Sequence, residues 1–352
     1  MNKANQGNYF EDFSLGQVIE HPTPRTITSA DASLYLALTA SRYSLFCNQP
    51  YAKKLGFERQ PLDNFLVFHI AFGKTVQDVS LNAVANLGYA ELQFYTATFA
   101  GDTLSVSSEV IGLKENSNGK TGIVYVFSKA FNQNGQLVLS WKRWVMVHKR
   151  NEGMSNLYAV EPFLKDSLAL TDTMIPENYN CKDYDVNISG EHYLFDDYEK
   201  GEWIDHIDGL TIDSAEHSMV THLYQNNAKV HFNHHQMKSS VHRQRLVYGG
   251  HIISLCRSLS HNGLANAQWL CAINGGKHTN PSYAGDTIYA ATHIVDKQLL
   301  TENVGVLRVR TLGIKNQSWA EIKNEFSMKI DDKLHYHANV VLDLDYNVLI
   351  AH

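Results

Sequence analysis

The sequence predicts an α+β fold written twice in tandem, each copy a long helix wrapped by an antiparallel sheet. Three observations predict it. An internal repeat runs the length of the chain, each repeat has the same order of helical and strand patterns, and the composition is globular. Hydrophobic residues make up 44% and charged residues 19% of 352 positions. One ordinary core does not accommodate that length, and two domains are the natural division.

The repeat is read residue by residue. Phe10-Glu-Asp-Phe13-Ser-Leu-Gly16 recurs as Phe195-Asp-Asp-Tyr198-Glu-Lys-Gly201, and Ile19 and His21 are answered by Ile204 and His206. Thr28-Ser-Ala-Asp31 answers Asp213-Ser-Ala-Glu216, and Phe68-His69-Ile70 answers Gly250-His251-Ile252. Phe99-Ala-Gly-Asp-Thr103 answers Tyr283-Ala-Gly-Asp-Thr287. Matches in one order at nearly one separation mark a duplicated unit. The chain then divides into an N-terminal domain over 1–150, a linker over 151–189 and a C-terminal domain over 190–352.

Each copy opens with a polar loop and a short capped helix. Asp213 and Glu216 read as a capping box, followed by an apolar stripe of Ala215, Met219 and Leu223. A longer apolar helix comes next, from Asn64 to about Val79 and from Tyr248 to about Ser260. Thr103–Ile111 alternates and Gly122–Phe127 is β-branched and aromatic, so both read as strands. Asn132-Gln-Asn-Gly135 reads as a hairpin turn into a strand over Leu137–Val147. The second copy offers strands over Thr287–Ile294, Gly305–Leu312, Ala320–Met328 and Ala338–Leu344. Asp102 and Asp286 are expected to bond backbone at turns, and Trp141, Trp144 and Trp269 to lie in the core. Pro162, Pro176 and scattered polar residues make the linker a surface crossing.

Several function classes are excluded at this level. A net charge of −6, a pI near 6.3 and the lack of a basic cluster argue against nucleic acid. No apolar run reaches membrane-spanning length and the N-terminus is polar, so neither a membrane partner nor a signal peptide is expected. Cys47, Cys181, Cys256 and Cys271 are spread without a CxxC, which fits a reducing, cytoplasmic setting, with Cys256 in the core.

The run from Tyr224 to His235, Tyr-Gln-Asn-Asn-Ala-Lys-Val-His-Phe-Asn-His-His, is more polar than packing requires. A neutral imidazole beside fixed amides is suited to hold and deprotonate water, which makes His231 the candidate base and Asn226 its companion. At the repeat separation the first copy has Phe46 for His231, Ser41 for Asn226 and Ser44 for Lys229. It also has Val67-Phe68 where the second copy has Gly249-Gly250. Glycines at a helix N-terminus expose backbone N–H groups that favour negative charge, so Gly249 and Gly250 are the candidate oxyanion donors. The chemistry is therefore expected in the second copy. His69 and His251 match between copies and read as structural. No carboxylate or Cys stands at ligand spacing from His231, His234 and His235, so no metal is expected.

The same run, with Tyr248-Gly-Gly-His-Ile-Ile-Ser-Leu255, Leu66-Val-Phe-His-Ile-Ala-Phe-Gly-Lys-Thr-Val76 and Leu81-Asn-Ala-Val-Ala-Asn-Leu-Gly-Tyr89, resembles the MaoC-like, hot-dog-fold enoyl-CoA hydratases, and among them the mesaconyl-CoA branch. The resemblance runs over nearly the whole chain and implies a double hot-dog fold. The general hydratase pattern Asp-x-Asn-Pro-x-His falls on Asn226, Ala228, Lys229 and His231, of which only the histidine is kept. The implied reaction is reversible syn addition of water to 2-methylfumaryl-CoA, the C1 thioester of mesaconate, giving β-methylmalyl-CoA. It implies an acyl-CoA substrate as partner, no redox cofactor and no metal; a homo-oligomer, dimer first, is expected. The proton for C2 is assigned to the same water, or to Glu216 or Asp213. Lys229 stands where the general hydratases have proline and is the candidate partner of the substrate's free carboxylate, with Arg42 as competitor. Arg243 and Arg245 fit that carboxylate or the CoA phosphates, and Asn227 completes the candidate substrate contacts. Two other classes stay open: an acyl-CoA-binding protein without turnover, and a hot-dog thioesterase, which would need a carboxylate that the second long helix lacks.

Overall fold

The computed structural model describes residues 3–153, 159–331 and 333–352, so residues 154–158 of the expected linker lie outside the described residues. The first half carries strands β1 (Val18–Thr26), β2 (Ala83–Phe94), β3 (Thr103–Glu115), β4 (Thr121–Phe131) and β5 (Leu137–His148). A short β6 (Ala159–Val160) follows, pairing with β3. The second half carries β7 (Trp203–Thr211), β8 (Ala267–His278), β9 (Thr287–Leu299), β10 (Val304–Lys315), the hairpin β11 (Ser327–Ile330) and β12 (Lys333–Tyr336), and β13 (Val340–Ala351). The main strands form one antiparallel sheet in the order β1-β3-β4-β5-β2-β8-β13-β10-β9-β7. Read outward from its middle, both halves have the same topology. The seam is β2 against β8, paired from Tyr89 with Gly276 to Gln93 with Ala272.

Each half carries two main helices: α1 (Ser29–Thr39) and α2 (Asn64–Thr75), then α3 (Ser214–Leu223) and α4 (Gly249–Leu259). The second of each pair lies on the sheet, while α1 and α3 pack on each other and on α4. Every residue of α2 is buried, the mark of a helix enclosed on all sides. One apolar cluster joins Phe65, Phe68 and Phe72 of α2 to Ile252, Ile253 and Leu255 of α4, so the halves share a core. No helix among the described residues is long and apolar enough to cross a membrane.

The predicted turns form as read. Asn132 Oδ1 accepts from Asn134 N and Gln136 N in the β4–β5 hairpin. Asp102 accepts from Phe99 N at 2.8 Å and Asp286 from Tyr283 N at 2.9 Å. Trp141, Trp269 and Cys256 are buried, while Trp144 is half-buried and stacks on Tyr125.

Three local readings are corrected. Strands β2 and β8, which make the seam, carry no clear alternation, because β8 is covered on both faces. Leu270 and Ile273 face the helices, while Trp269 and Cys271 pack under Phe46, Phe57 and the linker's Tyr179. A strand covered on both faces has no polar side to alternate with. The predicted strand over Ala320–Met328 instead opens as a helical turn, Trp319–Ile322, because Ser318 and Glu321 close a capping box at 2.6 and 2.7 Å before β11 begins. The capping box expected at α3 is also absent: Asp213 makes no cap bond. The matched box in the first half does form, between Thr28 and Asp31. On α3 the buried face is His217, Val220, Thr221 and Leu223, whereas Ala215 and Met219 are exposed.

Candidate active site

The polar run after α3 is held tightly. Tyr224 is buried, and Gln225 takes a left-handed φ of 53° that turns the chain. Asn226 is buried, and its Oδ1 accepts from Ala228 N at 3.0 Å, an Asx turn that starts the single helical turn Lys229–His231. Its Nδ2 has no hydrogen-bond partner among the described residues. Leu246 N donates to Val230 O at 3.1 Å, tying the turn to the strand-like approach to α4.

His231 is 9% exposed, and its Nδ1 lies 3.0 Å from Leu246 O. A carbonyl only accepts, so Nδ1 carries the hydrogen and Nε2 keeps its lone pair. Burial lowers the pKa of His231 to about 4, against the smaller raising effect of that carbonyl. The ring is neutral at physiological pH, and Nε2 is a base with no bonding partner among the described residues. Tyr248 packs on it edge to face at 5.5 Å. At the matched place of the first half, Phe46 is buried against Trp269.

The first half nevertheless builds this site. A Cβ on Gly73 of α2 would overlap Tyr224 O, so the loop rests on bare helix backbone. Lys74 Nζ donates to Gln225 Oε1, Asn227 Nδ2 to Gln77 Oε1, and Arg25 to Leu223 O. The expectation that the chemistry belongs to the second copy alone is corrected to a loop of the second half seated on the long helix of the first.

Gly249 and Gly250 begin α4, which has no side-chain cap. A Cβ on Gly249 would lie 2.7 Å from His278 Nδ1, and one on Gly250 would lie 2.7 Å from His69 Nδ1 and against the Tyr248 ring. The glycines admit three rings of the protein to the first turn of α4 on the sides where a Cβ would stand.

The candidate substrate contacts scatter. Lys229 is exposed at the start of the turn, so its charge is not desolvated beside His231. Asn227 is spent on Gln77. Arg245 is tied to Ser218 and Ser214 of α3 at 2.6 and 2.7 Å, and Arg243 is exposed in a left-handed conformation with φ 56°. Arg42 is exposed at the far end of α4, where its neighbour Tyr43 packs on His261 at 5.1 Å. His234 and His235 are exposed, and no group of three His, Cys, Asp or Glu among the described residues is placed to hold a metal ion.

Sequence reading missed His278 and Tyr248 and took His69 as structural. His278 is half-buried, with Nε2 3.3 Å from Tyr89 OH, and desolvation lowers its pKa to about 4. His69 and His251 match in sequence but not in surroundings. His251 Nε2 meets Glu216 Oε1 at 2.7 Å, whereas neither nitrogen of fully buried His69 has a partner. The signal was present in the shorter acid of the first copy. Asp31 caps α1 and pairs with Arg25 at 2.5 Å, so no carboxylate is left for His69.

With this geometry in place, the known proteins are informative. The family model described as mesaconyl-CoA hydratase matches residues 1–318. The chain is 52% identical to a beta-methylmalyl-CoA dehydratase of Chloroflexus aurantiacus, over 99% of this chain and 98% of that one. It is 45% identical to a mesaconyl-CoA hydratase of Cereibacter sphaeroides, over 99% of each. A crystal structure of a putative MaoC domain protein dehydratase from Chloroflexus aurantiacus superposes with a TM-score of 0.95 at 51% identity, covering 100% of this chain and 99% of that one. A Mycobacterium tuberculosis protein with a double hotdog fold shares the fold at a TM-score of 0.76 and 23% identity, over 99% of each chain. The duplicated sheet, the long helix in each half and these relatives converge: the chain belongs to the mesaconyl-CoA hydratase family, within the MaoC-like double hot-dog dehydratases.

Proposed function

We infer that the chain is a hydro-lyase that reversibly adds water across the double bond of mesaconyl-CoA, giving β-methylmalyl-CoA. The observation that carries this reading is His231: a buried neutral imidazole whose Nδ1 is fixed on Leu246 O, leaving Nε2 as a lone-pair base one short turn from the Asn226 amide. Nε2 takes a proton from water held by Asn226 Nδ2. The water oxygen bonds to C3, the C2=C3 pair moves toward the thioester, and enolate charge gathers on its oxygen. The N–H groups of Gly249 and Gly250, at the positive end of α4 and without a side-chain cap among the described residues, hold that charge, a contribution of about 3 kcal/mol for one such donor. C2 then takes a proton on the same face.

That proton comes from the His231 imidazolium in this reading, which accounts for syn addition with one base. The other candidates are less well placed: Glu216 is bonded to His251, and Asp213 is exposed at the start of α3. The chemistry is acid–base throughout and calls on no metal or redox cofactor. The reading takes the C1 thioester as substrate, a homodimer as the assembly and the cytoplasm as the setting.

The direct test is wild-type protein with mesaconyl-CoA, following enoyl-thioester absorbance and free thiol together. Absorbance is expected to fall with no thiol released. Thiol release would make the protein a thioesterase, and no change in either signal would leave only binding.

The lowered pKa sets a pH signature. The base form is active and protonation removes it, so kcat/KM is expected to hold level on acidification until the pH nears about 4 and then fall about tenfold per pH unit. An ordinary imidazole would begin that fall near about pH 6.5. A limb at the higher value, measured on protein shown to remain folded, would remove His231 as a base buried in this manner.

A further inference from the structure

Mesaconyl-CoA carries a free carboxylate on C3, the carbon that water attacks. The group that receives this carboxylate must therefore be a near neighbour of His231, and it must compensate the loss of hydration, because an unpaired buried carboxylate is strongly disfavoured. Lys229, the residue whose charge suggested itself from sequence, is exposed.

We propose that His69, from the long helix of the first half, binds the substrate's free carboxylate at the N-terminus of α4, with the Tyr248 hydroxyl as second donor. This rests on the hydration of mesaconyl-CoA inferred above. Four observations carry it. His69 is fully buried, and both its ring nitrogens lack partners among the described residues, as does the buried Tyr248 hydroxyl. His69 Nδ1 is directed at the first turn of α4, 2.7 Å from where a Cβ on Gly250 would stand. That turn has no side-chain cap, and the helix dipole favours an anion beside it, while its first N–H groups stay with the thioester oxygen. Tyr248 is the shared neighbour, its ring 5.8 Å from His69 and 5.5 Å from His231, which puts base and carboxylate donor around one ring.

The rings around His69 are Phe65, Phe68, Tyr224 and Tyr248, so no carboxylate of the protein competes for it. Its counterpart His251 does have one, Glu216. One half of the duplication thus fills its histidine with a carboxylate from the chain, and the other leaves the place to the substrate. Burial, with His278 and His251 adding to it, lowers the His69 pKa to about 3, so the free protein buries no bare cation there. Donors are ready and uncharged until the anion arrives. An enoyl-CoA with a methyl group in place of the carboxylate leaves them unsatisfied, which is how a polar pocket rejects an apolar analogue.

The test uses two saturated ligands to which water cannot add. Methylsuccinyl-CoA carries the terminal carboxylate, and 2-methylbutyryl-CoA has a methyl in its place on the same skeleton. Affinities are measured by calorimetry for the wild type, His69→Leu, His69→Gln and Tyr248→Phe. His69→Leu is expected to weaken methylsuccinyl-CoA by about 10- to 100-fold, the range for a hydrogen bond to a charged group, and to leave 2-methylbutyryl-CoA unchanged. His69→Gln, which keeps a donor, recovers part of the loss. Tyr248→Phe keeps every ring contact and loses affinity for methylsuccinyl-CoA alone, so a misfolded His69 variant would not end the test. Wild-type affinity for methylsuccinyl-CoA in both the His69→Leu and Tyr248→Phe proteins, or equal losses on both ligands, overturns the proposal. Hydration of mesaconyl-CoA by the wild type is followed in parallel. Its absence sinks the proposed function, whereas hydration with undiminished methylsuccinyl-CoA binding by His69→Leu sinks only the carboxylate site.

Discussion

Replacing His231 with alanine is expected to lower kcat/KM for mesaconyl-CoA by about 10²- to 10⁴-fold, the usual worth of a positioned general base. The effect should fall mainly on kcat, because the imidazole acts on water and not on the thioester. Stability should change little by comparison. The ring makes one hydrogen bond, to Leu246 O. The turn itself is held by Asn226 Oδ1 on Ala228 N and by Leu246 N on Val230 O, neither of which involves the imidazole. Residual turnover should lose the acid limb near pH 4. Turnover within a few-fold of wild type would assign the base elsewhere, with His278 the next candidate, since it too is neutral and lies against Gly249.

The second large effect is expected from a residue in the other half, Gly73. In an unobstructed helix, glycine to alanine stabilises by roughly 1 kcal/mol. At this position the added methyl overlaps the carbonyl of Tyr224, and Asn226 N lies 3.2 Å from the same point. Backbone must move, and the backbone that moves carries Asn226 and, five residues on, His231. A shift of about 1 Å in a positioned reacting group costs about 10²-fold in rate. Gly73→Ala is therefore expected to lose both activity and stability, against helix propensity on both counts. Raised thermal stability with full activity would show that the loop does not rest on α2.

How much of this was legible in the sequence divides along physical lines. The duplication was readable because Gly16 and Gly201, Asp102 and Asp286 do the same backbone work in each half, and such work leaves one residue type few substitutes. The long helices were readable because α2 is apolar on every face. Strand β8 was not, because burial on both sides erases the period of two. His231 was readable by contrast with Phe46. His69 was not, because its identity matches His251 and only its partner differs. That partner, Glu216, had been assigned to a cap, a role a carboxylate three residues into a helix ordinarily takes. Its longer reach sends it inward to His251 instead, while Asp31, one methylene shorter, keeps the cap in the first half. What packs against the glycine pair was not readable for a related reason. Absence of a side chain signals close approach, but not what approaches.

The β2–β8 seam bears on how the chain reaches its native state. Neither half is a finished object: separated, each would end in a long open strand, and the edge of β8 is buried over most of its length in the whole protein. Such an edge recruits other chains. The halves expressed as separate polypeptides are expected to aggregate or to assemble only with each other, and the intact chain to unfold in urea as a single cooperative transition rather than two. The linker then acts as a tether during folding. It keeps the partner edge at the high effective concentration of an intramolecular reaction, so that β8 meets β2 of its own chain before it meets a stranger's.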